Sequence, residues 1–157
     1  MKIEKITDSN RHIINEFLNE HWYSTTMVVK CKEIDLKYAD GFFIREDNSI
    51  IGLITYFVYD KEMEITSLDS LHENHGVGTE LVNAVINDAK IKGCDRISLI
   101  TTNDNINAIR FYQKRGFDMI KIYRNAVDIA RTIKPSIPLI AENSIPIRHE
   151  IEFELIL

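Results

Sequence analysis

The chain is poor in the residues that mark several other protein classes. Its 157 residues include 2 cysteines, 3 prolines and 6 glycines. Cys31 and Cys94 stand far apart and form no CxxC pair, which points away from a disulfide scaffold or a cysteine metal site. The five histidines show no ligand spacing, so no metal is expected. All three prolines fall between 135 and 146, and the rest of the chain is clear of that breaker. No apolar run reaches membrane-spanning length, and Met1-Lys2-Ile3-Glu4-Lys5 lacks the apolar stretch of a signal peptide. A cytoplasmic location with no membrane partner is the expectation. Positive charge is also scarce: 19 Lys and Arg face 24 Asp and Glu, a net charge of -5, which argues against a nucleic-acid partner.

What is present fits one globular domain. The apolar fraction is 45% and the charged fraction 27%, and the length supports a substantial core. We therefore expect a single domain over 1–157, with an irregular insertion at about 125–149 carrying the prolines.

The pattern changes halfway along. Lys2 to Ile6 reads as a strand, and Thr7-Asp8-Ser9-Asn10 offers caps for a helix to about Glu20, with Ile13, Ile14, Phe17 and Leu18 at helical spacing. His21 to Ala39 mixes apolar and polar residues and gives no clear element. Gly41–Arg45, Ile50–Tyr59 and Met63–Leu71 read as three strands joined by short turns, an antiparallel meander. Val77–Lys92 then reads as a helix closed by Gly93, Arg96–Thr101 as a strand, and Asn105 to about Arg115 as a helix closed by Gly116. Phe117–Tyr123 is a strand, Asn125–Ile133 a short helix, and Ile151–Leu157 a last strand with acidic residues on one face. The strand–helix–strand run favours locally parallel pairing of 96–101 with 117–123.

One stretch carries the chemistry. Glu73-Asn74-His75-Gly76-Val77-Gly78 follows a strand and opens a helix. Such a turn aims backbone N–H groups and the positive helix end at one spot, which suits a phosphate or diphosphate. A flexible turn is the plainer reading of the same residues. A dinucleotide fingerprint fails because the third glycine would fall at Leu81, and a P-loop fails because no Gly-Lys-(Ser/Thr) follows.

A second motif, Asn105-Ile106-Asn107-Ala108-Ile109-Arg110-Phe111-Tyr112-Gln113-Lys114-Arg115-Gly116-Phe117, follows across the strand–helix unit. Together the two stretches resemble the GNAT superfamily of N-acetyltransferases. The first matches its (Gln/Arg)-x-x-Gly-x-(Gly/Ala) loop except at Glu73. The second matches its Asn-x-x-Ala-x-x-aromatic-Tyr-x-x-x-Gly-Phe pattern in full. The insertion also resembles that of a subgroup of uncharacterised bacterial acetyltransferases. The resemblance implies an α+β fold of three-layer, acyl-CoA N-acyltransferase type: a mixed, mostly antiparallel sheet of about seven strands with helices on both faces. It implies acetyl-CoA as co-substrate and direct acetyl transfer to an amine.

Site residues follow from the resemblance. Glu73, Asn74, His75, Gly76, Val77, Gly78 and Thr79 would hold the diphosphate, a backbone N–H around Leu68 to Leu71 would polarise the thioester carbonyl, and Asn105, Ala108, Phe111 and Tyr112 would complete the coenzyme site. Tyr112 would protonate the leaving thiolate, since a phenol and a thiol differ by only roughly two pKa units. Asn105 would bond the pantetheine arm, cap its helix, or both. The base is open between Glu64, Asp69 and a water relay. Five residues separate the two carboxylates, so they fall on opposite sheet faces unless a bulge intervenes. Trp22 and Tyr56 are candidate walls of the acceptor site. Arg131 and Arg148 are either a clamp for an acidic acceptor or a mesh tying the insertion down. Glu152 and Glu154 share a strand face that is either solvated or attractive to a cationic amine. The expected acceptor is a small-molecule amine and the expected assembly a monomer or homodimer. The rival expectations are a catalytically weak acyl-CoA-binding regulatory module and a protein or peptide N-acetyltransferase.

Overall fold

The computed structural model describes residues 2–73 and 75–157. In chain order the elements begin with β1 (Lys2–Lys5), α1 (Arg11–Trp22), β2 (Thr26–Val29), β3 (Lys32–Asp35) and a single 3-10 turn at Leu36–Tyr38. The meander follows as β4 (Asp40–Glu46), β5 (Ser49–Tyr59) and β6 (Glu62–Ser70). Then come α2 (Val77–Ile91), β7 (Arg96–Thr102), α3 (Ile106–Lys114), β8 (Asp118–Tyr123), α4 (Ala126–Ile133) and β9 (Glu150–Ile156). Seven strands form a mixed, mostly antiparallel central sheet with helices on both faces, and β2 and β3 form a separate hairpin. Two compact units divide the chain. The first holds residues up to Thr26, Asp35–Ile97 and Leu157; the second holds Met27–Ile34 and Ser98–Ile156.

In the first unit β1, β4, β5 and β6 lie in that order, each pair antiparallel. Residues 50–56 of β5 are all buried, as expected of a strand covered on both faces. α2 covers the face bearing Gly52, Ile54 and Tyr56. A Cβ added at Gly52 would collide with Val77 Cγ1 and sit 3.0 Å from Leu81 Cδ1, so the missing side chain lets the first turn of α2 settle on β5. Farther along, the buried Tyr56 hydroxyl donates to Asp88 Oδ2, and Lys5 Nζ reaches Asp88 Oδ1 at 3.1 Å. Burial works against the Asp88 charge, but the Tyr56 and Lys5 donors outweigh it and hold its carboxyl below the usual range. Tyr56, expected as a wall of the acceptor site, is therefore a core anchor with no exposed surface.

α1 covers the opposite face, burying Ile14, Phe17 and Leu18. The expected cap at Asn10 does not form as a side-chain cap. Instead Asn10 Oδ1 accepts from Thr7 N at 2.7 Å and its Nδ2 donates to Lys5 O at 3.0 Å, closing the turn between β1 and α1.

In the second unit the strand order is β7, β9, β8, with β8 and β9 antiparallel. The expected side-by-side pairing of β7 and β8 is overturned, because the last strand inserts between them. The unread stretch before residue 39 supplies the β2–β3 hairpin. Its tip, Lys30 and Cys31, has φ of 50° and 62°, the left-handed pair a two-residue hairpin turn requires.

The acidic face of β9 is solvated only at its far end, where Glu154 is half-buried. Glu150 and Glu152 are 3% and 5% exposed. Glu152 Oε1 accepts from Tyr123 Oη at 2.6 Å and lies 3.0 Å from Lys30 Nζ, while Glu150 Oε1 accepts the Lys30 N–H at 3.2 Å. Burial pushes the Glu150 carboxyl up, against the pull of that N–H and of the Lys30 charge. These two carboxylates fix the hairpin tip.

Arg131 on α4 is likewise structural. Its guanidinium donates to the carbonyls of Ile137, Pro138 and Ile147 and to Asp128 Oδ1, tying the 134–149 segment to its helix. Of the two readings of this residue, the anchoring mesh is what its bonds describe, and the acceptor clamp is set aside.

Candidate active site

A backbone irregularity decides where the carboxylates of β6 lie. Its register with β5 runs Leu53↔Asp69, Ile54↔Leu68 and Thr55↔Ser67, then jumps to Tyr56↔Ile65 and Phe57↔Glu64. Thr66 is the extra residue of a β-bulge. Asp69 thus pairs with Leu53 and Glu64 with Phe57, two alternate positions of β5, so both carboxylates occupy the same sheet face. Hydroxyls stitch the bulge together: Thr55 Oγ1 lies 2.8 Å from Thr66 Oγ1 and 2.5 Å from Ser67 Oγ. Glu64 and Asp69 are both half-buried.

Asp69 accepts one hydrogen bond from the end of α1, Trp22 Nε1 to Oδ2 at 3.3 Å. Burial pushes its pKa up to about 6, with the Trp22 N–H and the His21 ring pulling the other way. Such a group is ionised at neutral pH yet basic enough to take a proton.

The loop after β6 is built from backbone. Leu71 N is committed to Ile51 O at 2.9 Å, so its amide extends the sheet. His75 Nδ1 lies 2.7 Å from Glu73 O and closes the turn, with both residues exposed. Asn74, one of the expected loop residues, lies outside the described residues. Gly76 has φ of 79°, and a Cβ there would meet nothing within 4 Å. Glycine serves this position through its left-handed backbone and not through tightness. Gly76 is the N-cap of α2, and among the described residues no side chain caps that helix. Val77 and Gly78 are buried and Thr79 half-buried. The first amides of α2 have no intrahelical acceptor and stand at the positive helix end.

In the second unit Asn105 caps α3, its Oδ1 accepting from Ala108 N at 3.1 Å. Ala108 and Phe111 are half-buried. Tyr112 is 6% exposed, with its ring edge-on to Phe111 at 5.1 Å and Phe117 at 5.4 Å and tilted against Phe153 at 6.3 Å. Packing on three sides fixes this phenol. Arg148 donates to Asn125 Oδ1 at 3.0 Å and lies 3.8 Å from Asp128.

Sequence reasoning placed Trp22 as a wall and missed its bond to Asp69, a pairing across 47 residues that no local pattern signals. It also overlooked Lys30, which has no motif around it.

The family model of the acetyltransferase (GNAT) family matches residues 7–117. The uncharacterized protein YdhI of Bacillus subtilis (strain 168) is 46% identical over 148 residues, covering 94% of this chain and 92% of that protein. Another from the same organism, the uncharacterized protein YxbD, is 43% identical over 142 residues, 90% of this chain and 89% of its own. Among solved structures, a Bacillus subtilis acetyltransferase in complex with CoA superposes with a TM-score of 0.71. The match covers 99% of this chain and 98% of that one at 20% identity, so the likeness speaks for the fold.

Proposed function

The chain belongs to the acetyltransferase (GNAT) family, and from that premise we propose that it moves an acetyl group from acetyl-CoA directly to a primary amine of a small metabolite. The observation that carries the reading is the first turn of α2, which follows a left-handed glycine and has no side-chain cap among the described residues. That arrangement fits a diphosphate, because backbone donors and the helix dipole favour an anion there. Glu73 to Thr79 would hold it, the amides of Val77, Gly78 and Thr79 foremost. Asn105, Ala108 and Phe111 would bear on the pantetheine arm.

Acetyl-CoA, when bound, supplies the acetyl group as a thioester. Asp69 would take one proton from the acceptor ammonium, freeing the nitrogen lone pair to form the new C–N bond. As the C–S bond breaks the electron pair would leave on sulfur, the Tyr112 phenol would give that sulfur its proton, and the second proton shed by the acylated nitrogen would return through water to the phenolate. Glu64, on the same sheet face as Asp69, would add negative charge that favours a cationic acceptor. With the cationic reach of Arg131 taken up by the insertion, the acceptor need not be acidic.

The test is calorimetry with coenzyme A and acetyl-CoA, followed by free-thiol release across a panel of amines, amino acids and peptides. The expected result is micromolar coenzyme binding and turnover with a small amine, reduced in Tyr112→Phe and Asp69→Asn, and less so in Glu64→Gln. Turnover should fall below about pH 6 as Asp69 protonates. No coenzyme affinity would end the reading. Binding without turnover on any amine would make the chain an acyl-CoA-binding regulatory module. Turnover on peptides alone would move the acceptor to a protein amine.

A further inference from the structure

Trp22 is the last residue of α1 and the sole tryptophan, yet it is 53% exposed. A large ring in that position contributes modestly to the core. Its one polar group, the indole N–H, goes to Asp69 Oδ2. The residues on either side of Trp22 are fixed. Tyr23 turns left-handed at φ of 58° and ends the helix. His21 is stacked on Phe17 at 4.1 Å, and its Nδ1 lies 3.0 Å from Phe17 O. On the sheet side Asp69 is opposite the fully buried Leu53, which pairs in turn with the buried Phe43. Among the described residues Asp69 has no ion-pair partner. The titratable groups that bear on it are His21 from α1 and, farther along the same face of β6, Glu64.

We propose that Trp22 is a positioning residue for acetyl transfer, its indole N–H holding one oxygen of Asp69 so that the other faces the acceptor ammonium. This rests on Asp69 being the base. An indole suits the task because it is a donor without charge. A lysine or arginine in its place would stabilise the carboxylate strongly and drain its basicity. The indole orients the group, never titrates, and leaves it able to take a proton. Asp69 Oδ1 gains the hydrogen as the ammonium N–H bond breaks, and the electron pair of that bond stays on nitrogen for the attack.

The experiment is the pH profile of kcat/KM for the wild type, Trp22→Phe, Asp69→Asn and the double variant. It uses the best amine found in the panel, with coenzyme affinity measured in parallel. His21→Gln serves as a control, since its ring also bears on Asp69. Trp22→Phe is expected to keep its coenzyme affinity and lose about 10- to 100-fold in kcat/KM, mostly in kcat. Its acid limb should move upward by about 0.5 to 1 pH unit, because a donor to the ionised form is gone. In the Asp69→Asn background the same change should do almost nothing. If Trp22→Phe raises KM alone and leaves the acid limb in place, Trp22 only walls the site and the proposal is overturned. If Asp69→Asn keeps full activity, the base assignment fails first, and that outcome is distinct because it appears with Trp22 intact. Since the ring is half-exposed, a phenylalanine there leaves the fold testable by circular dichroism.

Discussion

Strands β6 and β9 carry the same kind of sequence, acidic residues interleaved with apolar ones, and come to opposite ends. On β9, Glu152 meets a cation and a phenol, Lys30 and Tyr123, and Glu150 takes a backbone N–H at the hairpin tip. Both are buried and committed to holding the β2–β3 hairpin. On β6, Asp69 meets one neutral donor, and its pKa climbs to about 6. The partner decides the outcome. The Lys30 cation pairs with Glu152 and also pulls on Glu150, which commits both to structure, whereas the uncharged donor at Asp69 leaves that carboxylate basic and available.

The comparison breaks most sharply on activity. Asp69→Asn should cost about 10²- to 10⁴-fold in kcat/KM, the usual worth of a general base, with coenzyme affinity unchanged by calorimetry. If Glu152→Gln costs as much while the protein stays folded, the two strands do not divide in this way.

Next in size is stability, where the strands should exchange roles. Glu152→Ala removes the acceptor of both Lys30 and Tyr123. The expected loss is about 3 kcal/mol, at the low end for a broken buried pair because Lys30 retains some solvent. Urea unfolding measures it. A loss below about 0.5 kcal/mol, the level of an exposed pair, would place Glu152 with the surface ion pairs.

Third comes the backbone that positions the loop beyond β6. Gly52→Ala puts a Cβ into Val77 and against Leu81, so the first turn of α2 must back away. About 1–3 kcal/mol of stability should go, and coenzyme affinity should fall with it. Unchanged affinity would sever the link between the seat of that helix and the ligand.

Much of this frame was legible in the residues themselves. Gly76, Gly93 and Gly116 punctuate α2 and α3 where left-handed turns are needed, and each has φ between 74° and 90°. Ile50 to Tyr59 reads as a strand because nothing polar interrupts its first half. The rest depended on distant pairing. β2 and β3 are four residues each, too short for periodicity to register against a mixed background. Nothing local says that β9 inserts between β7 and β8, so neither reading of its glutamates, solvated face or lure for a cationic amine, foresaw the buried bonds of Glu152. The Thr66 bulge has no marker in its own residues, yet it brings Glu64 and Asp69 to one face. Tyr56 illustrates the same limit, since only the approach of Asp88 from α2 turns its hydroxyl inward.

The smallest effect separates the strands by sign. Folding raises Asp69 from an ordinary 3.8 to about 6, so the folded chain binds that proton more tightly than the unfolded one. The stability this contributes is fully present below about pH 4 and is lost as pH climbs through 6. Above that range the wild type carries a half-buried charge that asparagine would not. Asp69→Asn should therefore be more stable than the wild type at pH 7.5, by about 1 kcal/mol once solvent screening is allowed for. That is about 2–4 °C in Tm, and the gain should vanish at pH 4. Thermal unfolding at the two pH values measures it. A variant that is less active and more stable is the signature of a carboxylate kept for chemistry at the expense of the fold. If Asp69→Asn instead loses stability at pH 7.5, as Glu152→Ala is expected to, then Trp22 and Asp69 form an ordinary structural contact. The contrast between β6 and β9 would then be one of position alone.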